Sequence, residues 1–323
     1  MRGVDDHKRQ LNRLKQKRFR ERSSAERDAL QNEVYKLRNV LRALQKRRTK
    51  VPRAPTTTPQ PLCAQLAPWA ASSAEGCHGV TLVADAVGRK VGLDWYSQHL
   101  FHNTDRLLQT CAFPSDGSAV AEPIRLWETG ASLELLACQQ HDFARSLEAT
   151  YYALHDTMWA HLRGDTVANV SEFLDVELTR AIDAKMVYRR NVPLLDEHIC
   201  YVSREFRGAN RIVFVCGNFG HDEKLPRASR WRSRLFWYVL DRVSATRTRL
   251  RVVWYNGPQL VDGRIVPWRD EVAEEYIHLI GLAADQQLEH CKRVIQPFAL
   301  SQLDSFTTSV VTAVQSTTPQ DDP

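Results

Sequence analysis

Between Lys8 and Arg48 the chain carries side chains suited to reading and gripping a nucleic acid, with no proline or glycine to interrupt a helix. On an α-helix, positions i, i+3, i+4, i+7 and i+8 share one face. Counted from Asn12, that face holds Lys15, Gln16, Phe19 and Arg20. A helix lying in the major groove would aim these side chains at base edges: Asn donates and accepts together, and Arg matches guanine O6 and N7. The chemistry is hydrogen-bond recognition, not bond making. Charge agrees with it. Residues 1–50 hold 17 Lys+Arg against 6 Asp+Glu, a balance of +11, which leaves −5 of the total +6 for the rest of the chain. The net positive charge therefore sits in the N-terminal run, where a polyanion would be held.

Leu30, Leu37 and Leu44 follow the basic stretch at steps of seven. With these as d positions, Val34 and Leu41 are apolar a positions, while Arg27 and Arg48 are poor ones. Glu33 at g faces Arg38 at e of a partner helix. Pro52 and Pro55 end the helix. About two and a half heptads is short for a coiled coil, which predicts a dimer that is weak without DNA.

The joint spacing N-x7-R-x9-L-x6-L-x6-L resembles the basic leucine zipper (bZIP) family of DNA-binding proteins, over about forty of the 323 residues. That resemblance implies a nuclear transcription regulator bound to double-stranded DNA as a homodimer or heterodimer through the zipper. It places Arg9, Arg13, Lys17, Arg18 and Arg22 on phosphates, contacts that give affinity and register without sequence information. The family commonly has small residues where this chain has Lys15, Gln16 and Phe19, so a base preference does not carry over. Two other readings stay open: a basic helix that binds anionic membrane or RNA, and a zipper adaptor that never engages DNA.

The elements downstream of the zipper read differently. Residues 51–78 are rich in Pro, Thr, Ala and Ser, a linker. Residues 91–109 read as helical, Pro114–Gly117 as a turn, and 125–140 as a strand or two around Gly130. Residues 143–164 have apolar residues at helical spacing and end at Gly164, with Tyr151, Tyr152, Met158 and Trp159 expected in the core. Four runs rich in β-branched and aromatic residues follow, 198–206, 211–219, 234–243 and 248–256. Asn256-Gly257-Pro258 and Asp262-Gly263 read as turns. One long helix is expected from Trp268 to about Pro297, with Trp268, Val272, Tyr276, Leu279, Ile280 and Ala283 on one face. Residues 301–323 read as a disordered tail.

This element order predicts an α+β domain over 79–300, an antiparallel sheet with a long C-terminal helix across it. It resembles the START-type helix-grip fold. A bZIP-like segment joined to a START-like domain is similar to a family of water-mould proteins that includes mating-specific members. The resemblance implies an apolar cavity between sheet and helix for a lipid or small apolar ligand.

Catalytic and cofactor signatures are missing from the sequence: it has no G-x-G-x-x-G, P-loop or G-x-S-x-G. Cys216–Gly220 (CGNFG) lacks a following Lys-Ser/Thr and reads as a strand-end turn. His99, His102 and Asp105 stand three apart, but steps of three drift around a helix. Glu289-His290-Cys291 diverge on theirs, and Asp175, Asp183 and Glu197 form no carboxylate pair. Neither an enzyme, a metal nor a cofactor is expected. Seven scattered cysteines without a C-x-x-C pair suit reduced thiols in a cytosolic or nuclear compartment. No apolar run reaches the roughly eighteen residues of a membrane span, and the charged N-terminus lacks a signal-peptide h-region.

Overall fold

The computed structural model describes residues 79–165, 171–191, 199–274, 279 and 281–317. The linker expected at 51–78 lies outside them. So do all the N-terminal site residues: Arg9, Asn12, Arg13, Lys15, Gln16, Lys17, Arg18, Phe19, Arg20 and Arg22, with the zipper positions Leu30, Glu33, Val34, Leu37, Arg38, Leu41 and Leu44.

A short strand β1 (Thr81–Leu82) leads to α1 (Ala86–His102) and α2 (Thr104–Cys111). The Asp85 carboxylate caps α1 by accepting from the Val87 and Gly88 amides. Next come β2 (Ile124–Thr129), β3 (Ser132–Phe143), α3 (Leu147–Arg163), β4 (Ser171–Phe173), α4 (Val176–Ile182) and β5 (Met186–Asn191). The four predicted strand runs are β6 (Ile199–Arg207), β7 (Arg211–Asn218), β9 (Arg230–Ser244) and β10 (Arg247–Val261), with the two-residue β8 (His221–Asp222) between the second and third. The chain closes with β11 (Arg264–Ile265), α5 (Trp268–Glu274) and α6 (Ala284–Ser316).

Among the described residues, nine strands make one antiparallel sheet in the order β2-β3-β10-β9-β7-β6-β5-β4, with β11 on β10. The central strands lack a polar alternation because both faces of the sheet are covered. On the first face, Val202, Val213, Val215, Trp237, Val239 and Val253 pack under Leu93, Tyr96 and Leu100 of α1 and Leu107 of α2. The α1 backbone is tied there, since Trp237 Nε1 donates to Leu100 O at 3.0 Å. Gly217 permits this approach: a Cβ there would stand 2.7 Å from Leu100 Cδ1. On the second face, Ile212, Phe214, Tyr238, Leu240, Leu250 and Val252 meet Tyr151, Leu154 and Met158 of α3 and Leu303, Phe306, Val310 and Val314 of α6. A long C-terminal helix across a large antiparallel sheet is the α+β helix-grip arrangement expected from the element order.

A buried ion cluster closes the edge of the first face. Arg89 is 1 % exposed and its two Nη atoms donate to the Asp222 carboxylate at 2.6 and 2.7 Å. Its Nε donates to Asp175 at 2.8 Å, and Tyr188 OH donates to Asp222 at 2.6 Å. The five described cysteines are buried and unbridged.

Four expectations need correction. The late helix is two helices, α5 and α6, and Gly281 between them has φ +82°. Pro297 does not end α6, and residues 301–316 are helix, not disordered tail. A proline inside a helix costs about 3 kcal/mol. Burying Leu303, Phe306, Val310 and Val314 returns roughly 1.5–3 kcal/mol each, so packing wins. Asn256-Gly257-Pro258 is no turn either: β10 runs through it with a shift of register between Asn256 and Gln259. Pro258 has no N–H to give the ladder, and a bulge tolerates that. Tyr152, expected in the core, is exposed, while Tyr151, Met158 and Trp159 are buried. Asp262-Gly263 does turn, joining β10 to β11 with φ of +52° and +76°.

Candidate functional site: a cavity under the C-terminal helix

The second face of the sheet is incompletely filled. Between it and the helices α5 and α6 lies a cavity of about 760 Å³, within the range of small-molecule sites. Its floor is made by inward-facing strand residues: Leu133 and Leu135 of β3, Ile199 and Tyr201 of β6, Phe236 of β9 and Trp254 of β10. Val294, Ile295, Phe298 and Ala299 of α6 form the roof. Pro297 lies among these roof residues, and its missing N–H frees the Arg293 carbonyl from the helix ladder. Val294 and Phe298 beside it are exposed, so the roof is apolar on a surface that water reaches.

Polar groups enter at set points. Arg189 of β5 is buried; its Nε donates to Leu162 O at 2.7 Å, its Nη1 donates to Asn191 Oδ1, and its guanidinium lies 4.8 Å from the Tyr201 ring centroid. Ser171 Oγ also donates to Asn191 Oδ1 at 2.9 Å, so β4 and β5 hold this amide jointly. Gly164, at φ +80°, ends α3 where a Cβ would stand 2.9 Å from Arg189 Nη1.

His161 of α3 pairs with Tyr238 OH at 2.8 Å and packs on the Phe306 ring, centroids 4.7 Å apart. Burial, and then the Arg189 charge, push the imidazole down to about 4, so it is neutral at pH 7. Burial raises the Tyr238 phenol well above its ordinary value. Elsewhere on the wall Arg232 donates to Glu271 Oε1, while Glu134, between Leu133 and Leu135, sends its carboxylate to the first face, where Tyr255 OH donates to its Oε2 at 2.6 Å. Glu271 Oε2 is buried without a hydrogen-bond partner among the described residues.

These groups can orient an amphiphilic guest: a large apolar surface, one buried guanidinium, a neutral imidazole–phenol pair and the ion-paired Glu271. Among the described residues no three His, Cys, Asp or Glu stand close enough to hold a metal ion. His99 is occupied by Asn103, whose Nδ2 lies 2.9 Å from its Nε2. The sequence assigns none of the cavity residues to a site; it marks Cys216, Asn256 and Val272, which also line the cavity, only as parts of turns and of a helix face. A usable signal was present in the supposed tail, where Leu303, Phe306, Val310 and Val314 follow helical spacing.

Fold and cavity together define a helix-grip α+β domain with an internal ligand-sized space. Solved structures of similar arrangement include an aromatase/cyclase, ZhuI, from Streptomyces sp. R1128, at 14% identity and a TM-score of 0.31, covering 59% of this chain and 99% of that one. Human STARD10 is 10% identical with a TM-score of 0.28, covering 63% of this chain and 84% of its own. Norcoclaurine synthase from Thalictrum flavum, solved with dopamine and hydroxybenzaldehyde, is 10% identical with a TM-score of 0.25, covering 51% of this chain and 89% of that one. No protein-family model and no curated protein sequence matches this chain.

Proposed function

We propose that residues 79–317 form a START-like domain that binds one apolar or amphiphilic small molecule, such as a lipid, without turning it over. The observation that carries this reading is the 760 Å³ cavity, roofed by a helix whose own ladder is broken at Pro297. A fluorescent apolar probe added to the full-length chain tests it. Saturable binding of one probe per chain is expected, and Ala299→Trp, which fills the cavity from the roof, abolishes it while the chain stays folded. Binding that survives Ala299→Trp would place the probe elsewhere and sink the reading.

The N-terminal basic run supports a second component, resting on its spacing alone. In this reading Asn12 and Arg20 read bases in double-stranded DNA as part of a nuclear zipper dimer, and the cavity domain makes that binding ligand-responsive. Two helices with about five phosphate contacts each imply a log–log salt slope on the order of −9. Selection from random duplexes should enrich two half-sites, lost in Asn12→Ala and Arg20→Ala. Salt-sensitive binding unchanged in both variants would favour the anionic-membrane or RNA reading instead.

A further inference from the structure

Four arginines are buried among the described residues, and three of them face carboxylates. Arg89 has Asp222 and Asp175, Arg204 has Asp94 and Asp183, and Arg249 has Asp142. Arg189 has none among the described residues. It is 6 % exposed, lines the cavity, and is held by two neutral acceptors, the Leu162 carbonyl and the Asn191 amide oxygen. A guanidinium has five N–H donors; those on Nη2 have no acceptor among the described residues. Keeping a charge out of water without a counter-charge costs several kcal/mol. The nearby His161 offers no negative charge in either protonation state. Of the acidic residues on the cavity wall, Glu271 is ion-paired with Arg232, and Glu134 turns its carboxylate to Tyr255 in the cluster of the first face.

We propose that the guest of this cavity is an acidic amphiphile, whose carboxylate or phosphate head pairs with Arg189 while its chain lies between the sheet and α6. The proposal rests on the ligand-binding reading above and narrows it. Arg189 is well placed to receive such a head. Its Nε and Nη1 fix the plane of the fork, and the Tyr201 ring supports one side of it, so Nη2 meets an incoming oxyanion with little reorganisation.

The test compares oleate and 1-oleoyl lysophosphatidate with oleyl alcohol, and with inorganic phosphate, on the full-length chain by calorimetry. One or both acids should bind at least about tenfold more tightly than the alcohol, the weight of a charge-assisted hydrogen bond. Arg189→Gln should lose that preference and still bind the alcohol, while Arg189→Lys should keep part of it. Equal affinity for acids and alcohol in the wild type would overturn the acidic head and leave the cavity reading intact. A preference kept in Arg189→Gln would overturn the role of Arg189. Inorganic phosphate binding as tightly as the acids would overturn the amphiphile. Binding of none of the probes would overturn both readings. If Arg189→Gln fails to fold, the wild-type comparison decides.

Discussion

The two faces of the sheet are built from the same strands, yet one is closed and the other is not. Neighbouring residues show the contrast: Trp237 points into the α1–α2 side and is 1 % exposed, while Phe236 points into the cavity and is only half-buried. On the closed side, α1 lies directly on the sheet because Gly217 removes the side chain beneath it. On the open side, α3 and the second half of α6 fill part of the face, and the first half of α6 spans the gap. A sheet can thus keep a dry, tightly packed face and devote the other to a guest, since each strand sends alternate residues to opposite sides.

The largest expected effect separates those neighbours. Trp237→Ala should cost about 3–5 kcal/mol in urea unfolding, as for a large aromatic lost from a packed core. Phe236→Ala should cost clearly less, because it enlarges a space that already exists, and should weaken probe binding instead. Equal costs would mean that the two faces are packed alike. Next comes the ion cluster on the closed side. Asp222→Ala should lose about 3 kcal/mol, the low end for a broken buried pair, since Arg89 keeps Asp175. Probe binding per folded chain should not change.

The last effect, absent at neutral pH, is a split in acid sensitivity. His161 sits near 4 in the folded chain against 6.5 in the open chain, so the unfolded state takes up the proton first as pH falls. Its contribution is complete above about pH 6.5 and drains away as pH falls toward 4. For Asp222, burial pushes the carboxyl up, but hydrogen bonds from Arg89 and Tyr188 outweigh it and leave the group below its ordinary 3.8. Its contribution holds above that value and is lost only at more acid pH. Acid should therefore loosen the cavity side first. A stability-versus-pH profile of His161→Phe should lack the decline between 6.5 and 4 and retain the more acid one; an unchanged profile would remove His161 as the cause.

Much of the fold was legible in the residues. The four apolar runs are strands because β-branched and aromatic side chains suit a pleated surface covered on both sides. Ser146 and Gly164 bound α3 as a cap and a left-handed terminus should. Local signals misled where distant contacts outweighed them. Asn256-Gly257-Pro258 has turn chemistry, but pairing of β10 with β9 on both sides turns it into a bulge. Pro297 and the Thr- and Ser-rich stretch after it read as a helix end and a loose tail, until the apolar stripe of Leu303, Phe306, Val310 and Val314 is seen against α3 and the sheet.

The four long apolar strands, the helices α1 and α3 and the α+β class were determined by local composition and periodicity, which act over a few residues. The basic zipper spacing at Asn12, Arg20 and the three leucines is likewise a property of the sequence. The candidate ligand site is not. Arg189, His161, Tyr238, Trp254 and the roof of α6 come from separate strands and helices, and nothing in their spacing along the chain marks them as neighbours. The tertiary structure brings them together, and it alone decides which buried arginine has no carboxylate among the described residues, because a charge's partner is set by distance in space.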